Sequence, residues 1–274
     1  EITNMDCLSI TGTFKLIETT LSLKKVSINQ MIATYDNQFI ADMFSSSLTI
    51  QDFEFTGVEF SISASSPKPL ISGQNSNLNM VRASFNNARI GVNAIAILNG
   101  QGDFLISDSK FIYGGAIVDY QLFKFTDLNN IGINKCVFRG VESLITAVNL
   151  VHLLFVENIL LTNSLKKLIY IETPNDITMV GNNFINMQRL FLSSLDNRHY
   201  TWEEYAERKI FEPLLLPDSQ ITIKDVAALT LLQENNFFSL KGIQGIIEIH
   251  SVRFLYNVQS IDNNFINNTA SSGG

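Results

Sequence analysis

Charge is scarce in this chain. Lys and Arg number 19 and Asp and Glu 26 among 274 residues, 16% in all, against about 25% in a typical globular domain. The balance is acidic, with a net charge of −7. That argues against nucleic acid as a partner, because such binding rests on neutralising phosphates with Lys and Arg. No apolar run approaches the ~18 residues of a membrane helix, so no membrane span is expected in this segment. Only three histidines occur, His152, His199 and His250, and two cysteines, Cys7 and Cys136. None stands in a His-x-x-x-His or Cys/His pair, so neither a metal nor any other cofactor is expected. The start has neither an initiator Met nor a signal-peptide pattern, and the chain reads as a piece of a longer polypeptide.

Asparagine fills the place of charge, at about a tenth of the residues. The string NNFIN occurs twice, at Asn182–Asn186 and Asn263–Asn267, with Phe184 and Phe265 lying 81 positions apart. Sliding the template ITMVGNNF (Ile177–Phe184) along the chain finds eight further units. They end at Ile28, Phe55, Phe85, Phe111, Phe138, Leu160, Phe237 and Phe265. With the template's own Phe184 in its place, the nine last positions are separated by 27, 30, 26, 27, 22, 24, 53 and 28 residues. A period in the twenties marks a solenoid, and the long interval holds an insertion.

Each unit opens with strand-like alternation, and Asn, Asp, Gly and Ser follow its anchor. A second alternating run comes next, in RIGVNAIAIL, GAIVDY, SLITAV, KKLIYIE, RLFLSSL and GIIEIH. Helical repeats require a 3.6-residue period, which is missing. Leucine-rich repeats require a tighter consensus. The pattern suits an all-β, right-handed parallel β-helix of about nine to ten coils, stacked about 4.8 Å apart, with 1–274 forming one segment.

Two columns test that register. The fifth position of the unit runs Lys25, Asp52, Arg82, Asp108, Lys135, Glu157, Gly181, Glu234, Asp262. Its signs alternate over the first six members, as vertically stacked charges prefer. The sixth position has Ala83, Ser109 and Cys136, then Asn158, Asn182, Asn235 and Asn263. Stacked asparagines satisfy turn backbone groups along a column, so these four are expected to form a structural ladder.

FINN (Phe265–Asn268), GGAI (Gly114–Ile117) and the terminal Gly273–Gly274, with FNNA at Phe85 and FINM at Phe184, resemble a known pattern. The chain is similar to pectin-lyase-like right-handed parallel β-helices. Its units resemble the repeats of chlamydial polymorphic outer-membrane proteins and related protist surface proteins. The resemblance implies the fold, but that fold hosts lyases, hydrolases, adhesins and fibre proteins.

A β-helix glycosidase needs two carboxylates on neighbouring coils, about 5–10 Å apart. The positions read as outward on the first strand run from Thr49/Gln51 to Leu231/Gln233, and none is acidic. No catalytic residue is therefore assigned. Cys7 and Cys136 stand about four to five coils apart, beyond disulfide reach, and Cys136 is expected to be a buried thiol.

An insertion occupies 196–220. Thr201 and Glu204 form a capping box, and a helix over WEEYAERKIF ends before Pro213. Trp202, Tyr205, Lys209 and Phe211 are its candidate contacts with other protein. Asn267 opens the only glycosylation sequon, Asn267-Asn268-Thr269. The expected role is a non-catalytic rod or fibre segment of an extracellular or cell-surface protein. Its partners would be other copies or other segments of the same long chain. A carbohydrate-binding or adhesion module is the alternative, with Tyr113, Tyr120 and Tyr170 as aromatic candidates and glycans as ligands. A polysaccharide lyase or glycoside hydrolase ranks last.

Overall fold

The computed structural model describes residues 2–7, 14–33, 40–60, 69–86, 95–112, 121–141, 143–162, 167–186, 219–250 and 257–270. All strand pairings among them are parallel, and no helix occurs among the described residues. The molecule is a parallel β-solenoid. Each full coil contributes one strand to a nine-stranded sheet, then a strand to each of two arms of a sixteen-stranded sheet. The expected helical insertion lies outside the described residues except for Ser219 and Gln220. Those two are buried and belong to a coil: Gln220 N donates to Ile246 O (3.0 Å), and Gln220 O accepts from Leu168 N (2.8 Å).

In the coil through Asn158, the nine-stranded sheet takes Ser143–Val148, the first arm His152–Val156 and the second arm Ile159–Thr162. In earlier coils the two arms are one long bent strand, as in Ser47–Phe60 and Asn77–Asn86. The alternation that identifies these strands in sequence is what buries them. Along Asn130–Asn134, Ile131 and Ile133 are buried while their neighbours are half-exposed.

Inward side chains form columns through the stack. Phe55, Phe85, Phe111 and Phe138 stand one above another on the second arm, with centroids 5.6, 5.2 and 5.1 Å apart. Phe184, Phe237 and Phe265 continue the column after Leu160, at 5.0 and 4.8 Å. The eighth position of the sequence repeat is thus the aromatic spine. Ring stacking at the coil rise is geometrically matched, since offset rings prefer centroids about 4.5–7 Å apart.

The nine-stranded sheet includes strands that the expected second-sheet runs did not name. Among them are Gln121–Thr126 and Ile221–Lys224; the runs GAIVDY and RLFLSSL lie outside the described residues. Both alternate in sequence, but periodicity alone does not single them out. The register of pairing chooses: Phe123 and Phe125 lie beside Ala96 and Leu98 on one side and beside Ile145 and Ala147 on the other.

The corners are built from left-handed backbone. Every member of the fifth-position column from Lys25 to Asp262 has positive φ, between 51° and 67°. A second corner repeats this at Glu18, Ser45, Asn75, Gly100, Asp127, Asn149, Thr173 and Asp225, and a third at Gly140, Ser239 and Asn267. Such a conformation costs roughly 1–2 kcal/mol for a residue with a Cβ, so the stack must hold each corner in place. The alternation of charge in the first corner is partly realised as ion pairs. Arg82 donates to Asp52 through Nε (2.5 Å) and Nη2 (3.0 Å), and Lys135 lies 3.8 Å from Glu157.

Candidate functional site

Two arrangements on this scaffold have functional potential: the buried ladder beside the first corner, and the outer face of the first arm. The ladder is the one expected from sequence. Asn182 Oδ1 accepts from Asn158 N (2.9 Å) and Asn158 Nδ2 (3.0 Å), while Asn182 Nδ2 donates to Phe155 O (2.7 Å). Asn235 treats Asn182 in the same way, at 3.0 and 2.9 Å, and Asn263 treats Asn235 at 2.9 and 3.0 Å. Asn158, Asn182 and Asn235 are fully buried. The column continues towards the N-terminus with smaller groups: Asn158 Oδ1 accepts from Cys136 N (2.9 Å), and Ser109 Oγ accepts from Ala83 N (3.0 Å). Each side chain therefore caps a backbone N–H that the left-handed corner would otherwise strand in the core.

Cys136 occupies a ladder position, donating Sγ–H to Asn134 O at 3.2 Å. Burial pushes its thiol up to about 12, which keeps it protonated in its ladder position. The side chain of Cys7 lies outside the described residues.

The first-arm face was misjudged from sequence by one residue. Its strands start before the template does, at Asp103, Asn130, His152 and Asp176. These first residues face outward, so two acidic side chains do lie on this face, contrary to the expectation of none. Asn77 Oδ1 accepts from Asp103 N (2.9 Å), and Asn130 Nδ2 donates to Asp103 Oδ1 (2.7 Å). His152 Nδ1 lies 3.1 Å from Asp176 Oδ2, which also accepts from Asn175 Nδ2 (2.9 Å). Together they make a polar stripe across successive coils. The signal was in the sequence, as a polar residue just before the first apolar position of consecutive units.

Beside the stripe runs an apolar ridge. Leu105 and Leu154 are 45% and 49% exposed and flank Gly132 in register. A Cβ on Gly132 would lie 2.9 Å from Leu105 Cδ2, so Leu105 leans over the glycine. Asn134, two positions further along the strand, holds a buried Oδ1 without a hydrogen-bond partner. Asp103 and Asp176 are three coils apart in register, about 14 Å at the usual strand spacing. That exceeds the roughly 5–9.5 Å separation of paired glycosidase carboxyls. The face offers hydrogen-bonding groups in a flat row against aliphatic surface, a chemistry suited to binding.

The remaining sequence candidates divide. Trp202, Tyr205, Lys209, Phe211, Tyr113, Tyr120 and His199 lie outside the described residues. Tyr170 is on the outer face of the nine-stranded sheet, with Lys167 Nζ and Lys224 Nζ each 5.4 Å from its ring centroid. Its hydroxyl donates to Glu172 (2.8 Å), a bond that raises the phenol above its usual range. Asn267 is exposed at the third corner. No group of three or more potential metal ligands occurs among the described residues. No helix among them is long and apolar enough to cross a membrane.

These features define a parallel β-solenoid with a continuous internal amide ladder. No family model matches the chain, and no curated protein matches it. Among solved structures it is similar to PfbA, a surface adhesin of Streptococcus pneumoniae, with a TM-score of 0.60 and 15% identity over 96% of this chain. The chain spans 64% of that structure. At this identity the likeness concerns the fold.

Proposed function

We propose that this chain is a non-catalytic structural segment of an extracellular or cell-surface protein, serving as a rigid rod. The observation that carries this reading is the continuity of the stack. The aromatic spine and the side-chain ladder at the first corner link successive coils, so bending between coils would break buried hydrogen bonds and ring contacts together. A solenoid of this kind has stiffness as its mechanical property, since each repeat rests on its neighbours. The fold shared with a surface adhesin is consistent with the surface location. Within this reading the chain belongs beside the pectin-lyase-like right-handed β-helices, and its Phe-x-x-Asn units beside the chlamydial and protist surface repeats. Its partners are other copies or other segments of the same polypeptide.

A second reading, an adhesion or carbohydrate-binding module, is favoured by the stripe from Asn77 to Asp176 alongside Leu105 and Leu154. One experiment separates these readings from an enzyme. The purified chain is incubated with a broad polysaccharide panel, and both retention and new chain ends are measured. A rod gives neither, a binding module gives retention alone, and new chain ends in a protein with an intact stripe would overturn both readings.

A further inference from the structure

The structure separates the two asparagines of Asn267-Asn268-Thr269 by environment. Asn268 is a ladder residue of the third corner. Its Oδ1 accepts from Leu240 N (2.9 Å), and its Nδ2 donates to Phe237 O (2.8 Å). The same geometry at the first corner, in Asn158 and Asn182, is fully buried. Asn267 is the corner residue itself, with φ 54° and an exposed side chain that makes no hydrogen bond among the described residues. Asparagine tolerates this conformation better than most residues. Thr269 two positions on is also exposed, while its backbone is tied to the coil below by Thr269 N donating to Leu240 O (3.0 Å). The turn is thus fixed from below by Asn268 and Thr269, and the Asn267 carboxamide is spare.

We propose that Asn267 carries an N-linked glycan. The inference rests on the cell-surface reading above, because the donor is a lipid pyrophosphate-linked oligosaccharide met on the secretory route. Asn267 Nδ2 attacks the anomeric carbon of the first sugar. The N–C bond forms, the bond from that carbon to the pyrophosphate oxygen breaks, and the lipid pyrophosphate leaves. The proton lost from the amide passes to a base of the transferase. Nothing is oxidised or reduced. The folded coil accepts the product because the modified nitrogen bonds to no protein group. A glycan on Asn268 would instead sit on the nitrogen that donates to Phe237 O and crowd that bond. The sugar would project from the corner beyond the second arm, leaving the first-arm stripe uncovered. That corner of the rod would then be closed to side-by-side packing.

The test uses the intact protein taken from its source cells after surface biotinylation. Peptides spanning residue 267 are analysed by mass spectrometry, with and without peptide N-glycosidase in heavy-oxygen water. The expected result is a glycopeptide that the enzyme converts to an isotopically labelled Asp at 267, in biotinylated protein. Asn267→Gln and Thr269→Ala, expressed in those cells, would each abolish the mobility shift. Asn268→Gln would retain it. Biotinylated protein with a bare Asn267, or with sugar on Thr269, overturns the inference and leaves the surface reading standing. Protein that biotin does not reach and that is bare at Asn267 overturns both.

Discussion

Asn182→Ala is the most informative single substitution. It removes the acceptor for Asn158 N–H, whose partner is Asn182 Oδ1 at 2.9 Å, and the amide that donates to Phe155 O at 2.7 Å. Both lost bonds are fully buried. An orphaned buried donor costs about 1–3 kcal/mol and a lost neutral hydrogen bond about 1 more, giving roughly 2–4 kcal/mol in total. In a solenoid this cost falls on one interface between coils and does not spread evenly. Native-state hydrogen exchange read by mass spectrometry is therefore the right assay. The Asn158 amide should exchange roughly 30- to 1000-fold faster, with smaller changes several coils away. Asn183→Ala is the control. Asn183 Oδ1 accepts from Asn236 Nδ2 (2.9 Å) on a partly exposed row, so its loss should cost under about 1 kcal/mol. If Asn182→Ala left the protection of residue 158 within about threefold of the parent, the ladder would not be what holds the corner.

Other substitutions probe the corners, the spine and the thiol. Thr173 is β-branched at φ 53°, and its hydroxyl accepts from Asn149 N (3.1 Å); Thr173→Asn, the residue its column uses at Asn75 and Asn149, relieves the strain while keeping a side-chain oxygen as acceptor, and should raise the melting temperature, by a stabilisation of up to about 1 kcal/mol. Gly102→Ala would set a Cβ 2.2 Å from Ser76 O and should destabilise far more than Gly181→Ala, whose Cβ meets only Glu157 Cγ at 3.6 Å; parallel thermal melts would show the order. Phe184→Ala should cost about 3–5 kcal/mol by denaturant titration, whereas Phe265→Ala, at a ring 53% exposed, should cost clearly less. Cys136 should resist alkylation in the folded chain and react once it is unfolded. Its thiol is raised to about 12 from the ordinary 9.0, so stability from this group is full below pH 9 and falls as pH climbs from 9 towards 12.

The repeat was legible because its strongest signals are interior ones. Phe fills the eighth position in seven of the nine units and Asn the sixth from Asn158 onward, where a large ring packs the core and a two-ended amide satisfies backbone on both sides. The fifth position was legible as a column but not as a conformation. Lys, Arg and Glu carry no mark of positive φ, and Asp only a weak one, while the hydrogen bonds of neighbouring coils hold the corner. The polar stripe was missed because the template began on an inward residue, Ile177, and so excluded Asp176 from the strand. In a period-2 element a start set one residue late discards an outward position. The nine-stranded sheet was half legible: Ser143–Val148 and Ile169–Glu172 fall on expected runs, while Gln121–Thr126 does not. Alternation permits a strand, and register with the neighbouring coils places Gln121–Thr126 in the sheet.

The central claim is mechanical, and imaging the intact protein that contains this chain tests it most directly. Electron micrographs should show straight, unbranched rods of constant width, with coils repeating about every 4.8 Å along the axis. Compact particles, or chains that bend freely between short segments, would contradict it.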